Sequence, residues 1–169
     1  MNNYKIELKW AIIYCVLVLL WMTMEVLLGL HGEHIDLHLV TTMFFLVPMI
    51  ILYIFALLDK KKNYYDGNMT YMKGFATVVI ITVIIVLLSP LTQYITSEFI
   101  TPDFFNNAIE YATSTAQMTH EQAQAHFNLT NYMIQGFFGS LVVGVLFSAI
   151  IAIFIRTKSD KYVQKVSDN

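Results

Sequence analysis

The sequence has 169 residues, of which 57% are hydrophobic and only 13% charged, and its formal net charge is −2. Soluble domains carry about 25% charged residues, so a water-soluble domain is excluded and no nucleic-acid partner is expected. Cys15 is the single cysteine, which rules out an intrachain disulfide framework, a CxxC redox pair or a zinc knuckle.

Four apolar runs follow one another along the chain: 10–30, 39–58, 74–95 and 132–155. Each holds roughly 20 to 24 residues, on the order of 30 to 36 Å of helix, enough to cross a bilayer core. The expected fold class is therefore all-α, an integral membrane four-helix bundle forming a single membrane domain. A short helical periplasmic segment (97–131) would join spans three and four, and a cytoplasmic tail (156–169) would follow. Span one follows Lys5 and Lys9, but it is too long for the apolar core of a secretory signal and no small-residue cleavage site follows it. It reads as an uncleaved first span. Within it, Glu25 is the one charged residue.

The loop after span one contains His31, His34 and His38, at spacings of three and seven. If that segment is helical, all three fall within about 60° of one face. Three imidazoles so placed are candidate metal ligands, with Glu25, Glu33 or His120 able to complete the shell. Span two contains Pro48 and span three contains Pro90, and both should kink their helices. Ser89, beside Pro90, can bond the carbonyl that proline frees. Between these spans lie Lys60, Lys61, Lys62 and a turn at Asp66-Gly67. Thr101-Pro102-Asp103 reads as a helix start, with Thr101 as the hydroxyl cap. The helix after it places Phe105, Ala108, Ile109 and Ala112 on one stripe, suited to the headgroup layer or to covering the bundle's outer mouth. Thr119-His120-Glu121-Gln122 matches a capping box, with a second helix running from there toward span four. Span four repeats small residues at every fourth position: Gly136, Ser140, Gly144, Ser148 and Ala152. Such a stripe lets a neighbouring backbone approach closely, within the chain or in a self-association.

All ten Lys and Arg residues lie before span one, between spans two and three, or at and after the end of span four. Positive residues near span ends are retained in the cytoplasm, so both termini are expected inside. All five histidines fall in the two outer loops. So one-sided a bias excludes a dual-topology antiparallel dimer.

Three features carry a family resemblance: the four-span plan, the start of span three (Gly67-Asn68-Met69-Thr70-Tyr71-Met72-Lys73-Gly74-Phe75) and the segment Tyr94-Ile95-Thr96-Ser97-Glu98-Phe99-Ile100-Thr101-Pro102-Asp103-Phe104. Together they resemble the Bacteroidota membrane-protein family catalogued as domain of unknown function 4199. That resemblance implies the inner membrane of a diderm bacterium, multi-pass, with periplasmic outer loops. It supplies no catalytic residue.

Glu25 needs a physical account, because a carboxylate inside a span costs roughly 2 to 3 kcal/mol on insertion scales. Thr41, Thr42, Thr92, Gln93 and Gln135 lie at similar depth and could meet it. No nucleophile motif, phosphate-cradling loop or haem-spaced histidine pair is present, and no cofactor is expected. The leading expectation is a non-enzymatic accessory or scaffold subunit, with the bilayer and a membrane-protein partner or second copy as its contacts. The alternative is a cation- or proton-linked transport or sensing module using Glu25 and the outer histidines. A third, weaker reading is an enzyme acting on lipids.

Overall fold

In lipid every backbone N–H and C=O must find its partner locally, which turns each long apolar run into a helix. The computed structural model describes residues 4–157; the rest of the expected cytoplasmic tail, including Lys158, Lys161 and Lys165, lies outside the described residues. Seven α-helices are described: α1 (Lys5–Leu27), α2 (Ile35–Met43), α3 (Leu46–Asn63), α4 (Tyr71–Ile95), α5 (Phe104–Ser114), α6 (His120–His126) and α7 (Leu129–Ile155). A π-helical turn, Thr96–Ile100, extends α4. The chain is an all-α, multi-pass membrane protein. Four of its helical stretches are long and apolar enough to span: 5–27, 35–63, 71–100 and 129–155.

The two span prolines leave their helices in different states. Pro48 has no N–H to offer the carbonyl of Phe44. The chain ahead of it tightens into three-residue bonds at Phe44, Phe45 and Val47, which separates α2 from α3 within one span. Pro90 sits inside an unbroken α4. There the freed Val86 carbonyl accepts a hydrogen bond from Ser89 Oγ at 2.9 Å.

The four spans pack in the cyclic order α1, α4, α7, α3, with α3 and α4 also touching across the centre. The core consists of Ala11 of α1, Met49, Leu52, Tyr53, Ala56 and Leu57 of α3, Val78, Ile81 and Ile85 of α4, and Ile151 of α7, with Met69 from the connecting loop. Tyr14 stacks on Tyr53, and the Tyr53 hydroxyl meets Thr82 Oγ1 at 3.1 Å. Large apolar side chains such as Leu20, Leu87, Phe138 and Phe154 face outward, as a bilayer-facing surface requires.

The lysine-bearing end is closed by polar contacts. Lys60 and Glu7 form a buried ion pair at 2.8 Å, with the Lys60 ammonium 3.7 Å from the centre of the Tyr64 ring. Lys9, Trp10 and Asn63 all donate to Asp59. Lys61 donates to the carbonyl of Ile155 at 2.7 Å and so caps the end of α7. Asp66 and Gly67 make the loop turn with positive φ.

The small-residue stripe of α7 divides into two halves. Gly144 lies against Thr82 of α4 so closely that a Cβ there would sit 2.5 Å from Thr82 Oγ1. Nearer the lysine end, Ala152 packs on Gly74, and Ser148 is buried with its hydroxyl on the Gly144 carbonyl. Ser140 bonds back to its own helix at Gly136, and a Cβ added at Gly136 would meet nothing within 4 Å.

Candidate functional site: a buried carboxylate between two imidazoles

The site begins with the way α1 ends. Leu28 caps the helix and Gly29 follows with φ +73°, a left-handed conformation that glycine adopts without strain. Gly29 N–H bonds to the Val26 carbonyl, and Leu30 N–H bonds to the carbonyl of Glu25 at 3.0 Å. These two bonds form a Schellman turn, closed by a buried apolar residue, Leu30, just beyond the glycine. The chain folds back on itself, and His31 comes to lie over the side chain of Glu25, six residues earlier.

Glu25 is fully buried, and both of its carboxylate oxygens are partnered, with the Thr42 hydroxyl reaching Oε2, at 3.1 Å, as well as Oε1. Trp21 Nε1, one turn earlier on α1, donates to Oε1 at 2.6 Å, and Thr42 Oγ1 donates to the same atom at 2.8 Å. Oε2 faces the imidazoles: His31 Nε2 lies at 3.1 Å and His38 Nδ1 at 3.4 Å. The other ring nitrogen of His31, Nδ1, meets Thr101 Oγ1 at 3.0 Å, and Asn107 Nδ2 donates to the His31 carbonyl at 2.8 Å. Phe104 covers both rings, with its centroid 5.0 Å from each imidazole, while Trp21 packs edge-on against Phe45 beneath. Among the described residues, no buried side-chain nitrogen or oxygen lacks a partner.

Several sequence expectations are revised by this arrangement. His31, His34 and His38 do not share a helix face, because α2 starts only at Ile35 and His31 sits in the turn before it. His31 and His38 meet through Glu25, whereas His34 is exposed beside Glu33 on a surface cleft of about 610 Å³. Thr101 does not cap α5. The helix begins three residues later, at Phe104, and Asp103 occupies the cap position without a side-chain bond. The buried imidazole of His31 takes the Thr101 hydroxyl instead. The buried stripe of α5 runs through Phe104, Ala108 and Ala112, and Phe104 packs over the two imidazoles at the mouth of the bundle. The capping box at Thr119 and Gln122 is present, but α6 does not run on into α7. Asn128 intervenes in extended conformation and caps α7 through Asn131 N–H at 3.0 Å.

Of the polar residues at Glu25's depth, only Thr42 reaches it. Thr92 bonds the Ser89 carbonyl, Gln93 bonds Ser97, and Gln135 lines a cavity of about 410 Å³ with His38, Tyr132 and His126. Trp21, Thr101, Phe104 and Asn107 belong to the site without having been singled out as parts of it. The i, i+4 relation of Trp21 to Glu25 was the available signal for the first. The clefts of 610 Å³ and 410 Å³ flank the cluster, one reaching His31 and Thr101, the other His38 and Phe104.

One ligand atom each from Glu25, His31 and His38 lies within 4.8 Å of the others. Carboxylate and imidazole together can hold a proton or coordinate a cation. A family model described as "Protein of unknown function (DUF4199)" matches residues 9–157. No curated protein and no solved structure matches the chain.

Proposed function

The chain belongs to the DUF4199 family, and from the buried cluster common to two of its spans we propose that it is a cation-linked sensing module of a bacterial inner membrane. The observation that carries this reading is Glu25. A fully buried carboxylate facing two imidazoles is costly inside a membrane unless it serves a ligand or is completely satisfied. Its satisfaction here is also a linkage. His31 joins Glu25 to Thr101 and Asn107, so a cation seated at Glu25 would bear directly on the segment 96–128 that covers the bundle. Cation occupancy would then be read as a change in that cover.

The proposal includes an orientation: the lysine end in the cytoplasm and the histidine end in the periplasm. The placement of all ten Lys and Arg residues supports it. Reporter fusions at the loop 64–70 and at the loop 115–119 test it, and activity of a periplasm-specific reporter at 64–70 would reverse it.

The functional experiment is hydrogen exchange on the full chain in nanodiscs, with sodium, potassium, magnesium, calcium, zinc and cobalt(II) chlorides offered singly. At least one cation should slow exchange across residues 101–107, and Glu25→Gln should abolish that effect. Unchanged exchange with every cation would discard the reading.

A second reading, an accessory or scaffold subunit, draws on a separate observation. Gly136 and Gly139 leave open faces on α7 beside exposed Ile134 and Phe138, where another span could approach closely. Cysteine cross-linking at position 139 in native membranes tests it. No cross-linked species would remove it.

A further inference from the structure

Of the polar clusters in the fold, the Glu7–Lys60 pair is internally neutral and closed off by Tyr64. The groove formed by Glu110, His120 and Gln124 is lined by exposed polar side chains. The Glu25 cluster differs from both in bringing a buried carboxylate, a buried imidazole and a half-buried imidazole within 4.8 Å of one another.

We propose that Glu25, His31 and His38 form a three-ligand site for a divalent transition-metal ion of the zinc class. This rests on the cation-linked reading above and names its cation. Ligand chemistry decides the class. Calcium and magnesium are held by six or more oxygens, whereas two imidazoles and one carboxylate suit zinc, iron or copper.

Distances agree with this choice. Zinc bonds to nitrogen and oxygen are about 2.0 to 2.1 Å, so two ligand atoms of a tetrahedral site stand about 3.3 to 3.4 Å apart. Glu25 Oε2 is 3.1 Å from His31 Nε2 and 3.4 Å from His38 Nδ1. One ring nitrogen of each histidine and a carboxylate oxygen of Glu25 all lie within 4.8 Å of one another, so the two imidazoles must draw closer when an ion seats between them.

The surroundings orient the ligands as metal sites require. A metal-bound histidine donates its other ring N–H to a fixed acceptor, and His31 Nδ1 has Thr101 Oγ1 at 3.0 Å. A ligating carboxylate is held through its second oxygen, and Glu25 Oε1 accepts from Trp21 and, more closely than Oε2 does, from Thr42. The open fourth position is left for water or for a small ligand arriving through one of the two flanking clefts. His34, Glu33, His120 and His126 are not part of the ligand set.

The test uses the full chain, purified without affinity histidines and titrated with cobalt(II) alone, then with zinc. One cobalt(II) per chain should bind with the visible bands of a four-coordinate site, and zinc should displace it. His31→Asn, His38→Asn and Glu25→Gln should each abolish the bands, while His34→Asn leaves them unchanged. Thr101→Val keeps all three ligands, so it tests the site even where a ligand variant fails to fold; affinity should fall about 10- to 100-fold. The proposal is overturned by the absence of stoichiometric cobalt binding, by bands that persist in both His31→Asn and His38→Asn, or by their loss in His34→Asn. Protection of residues 101–107 by calcium or sodium without zinc or cobalt would overturn the metal class and leave cation linkage standing. Silence toward every cation would end both.

Discussion

Substituting alanine at two glycines of α7, five residues apart, should move stability in opposite directions. At Gly144 the new methyl would clash with Thr82 Cγ2 and lie 2.5 Å from Thr82 Oγ1. Thr82 has no room to retreat, because it is fully buried and hydrogen-bonded to Tyr53. Helices α4 and α7 must separate or Thr82 must shift, and overpacking of that kind costs about 1 to 3 kcal/mol. At Gly139 a methyl meets nothing within 4 Å. Both substitutions gain the same helix propensity, about 1 kcal/mol, so that contribution cancels when the two variants are compared. Gly139→Ala should therefore be the more stable by about 1 to 3 kcal/mol, roughly 5- to 150-fold in the unfolding constant. Reversible unfolding in mixed detergent micelles measures this directly. Thr82→Ala, which removes both clashing atoms, should recover part of the loss in a double-mutant cycle. Equal stability of the two alanine variants, or no recovery from Thr82→Ala, would refute the close α4–α7 contact.

Three further outcomes follow from the polar contacts. Glu7→Ala should destabilise by about 3 to 5 kcal/mol, because it strips one partner from a buried ion pair, whereas Glu7→Leu with Lys60→Met should stay near the parent in the same unfolding assay. Ser89→Ala removes the donor to the Val86 carbonyl freed by Pro90 and should cost about 1 kcal/mol; an unchanged midpoint would mean that another group satisfies that carbonyl. Glu25→Leu should speed hydrogen exchange across 101–107 even without added cations, since His31 loses the acceptor that holds it between Glu25 and Thr101. Exchange equal to the parent's would show that the α5 segment is held independently of the cluster.

The four spans were legible because apolar run length is a property of the local sequence. Of the two span prolines, Pro48 follows a break between helices, whereas Pro90 leaves α4 continuous, with the compensating Ser89 nameable from the sequence. The site was only half legible. Glu25 stood out as a lone carboxylate and Thr42 was among its candidate partners, but the three histidines were set on one imagined helix. Gly29 held the missing information. A glycine just past an apolar helix, followed by a leucine, signals a Schellman reversal, and that reversal brings His31 onto Glu25 and separates it from His34. Thr101 was misassigned for a related reason. A hydroxyl before Pro102 fits a helix cap locally, yet a buried imidazole 70 residues away in sequence claims it. Such long-range partners have no local signature, and Phe104, whose ring covers the two histidines, had none either. The buried Glu7–Lys60 pair escaped notice likewise, since a lysine in a run of three reads as a solvated charge until its partner across the bundle is known.

X-ray absorption at the zinc edge, on the full chain carrying one zinc per molecule, reads the ligands of the Glu25 cluster themselves. A four-coordinate nitrogen and oxygen shell at about 2.0 to 2.1 Å, with the scattering signature of two imidazoles, is the expected result. A shell with a single imidazole, or one containing sulfur from Cys15, would contradict it.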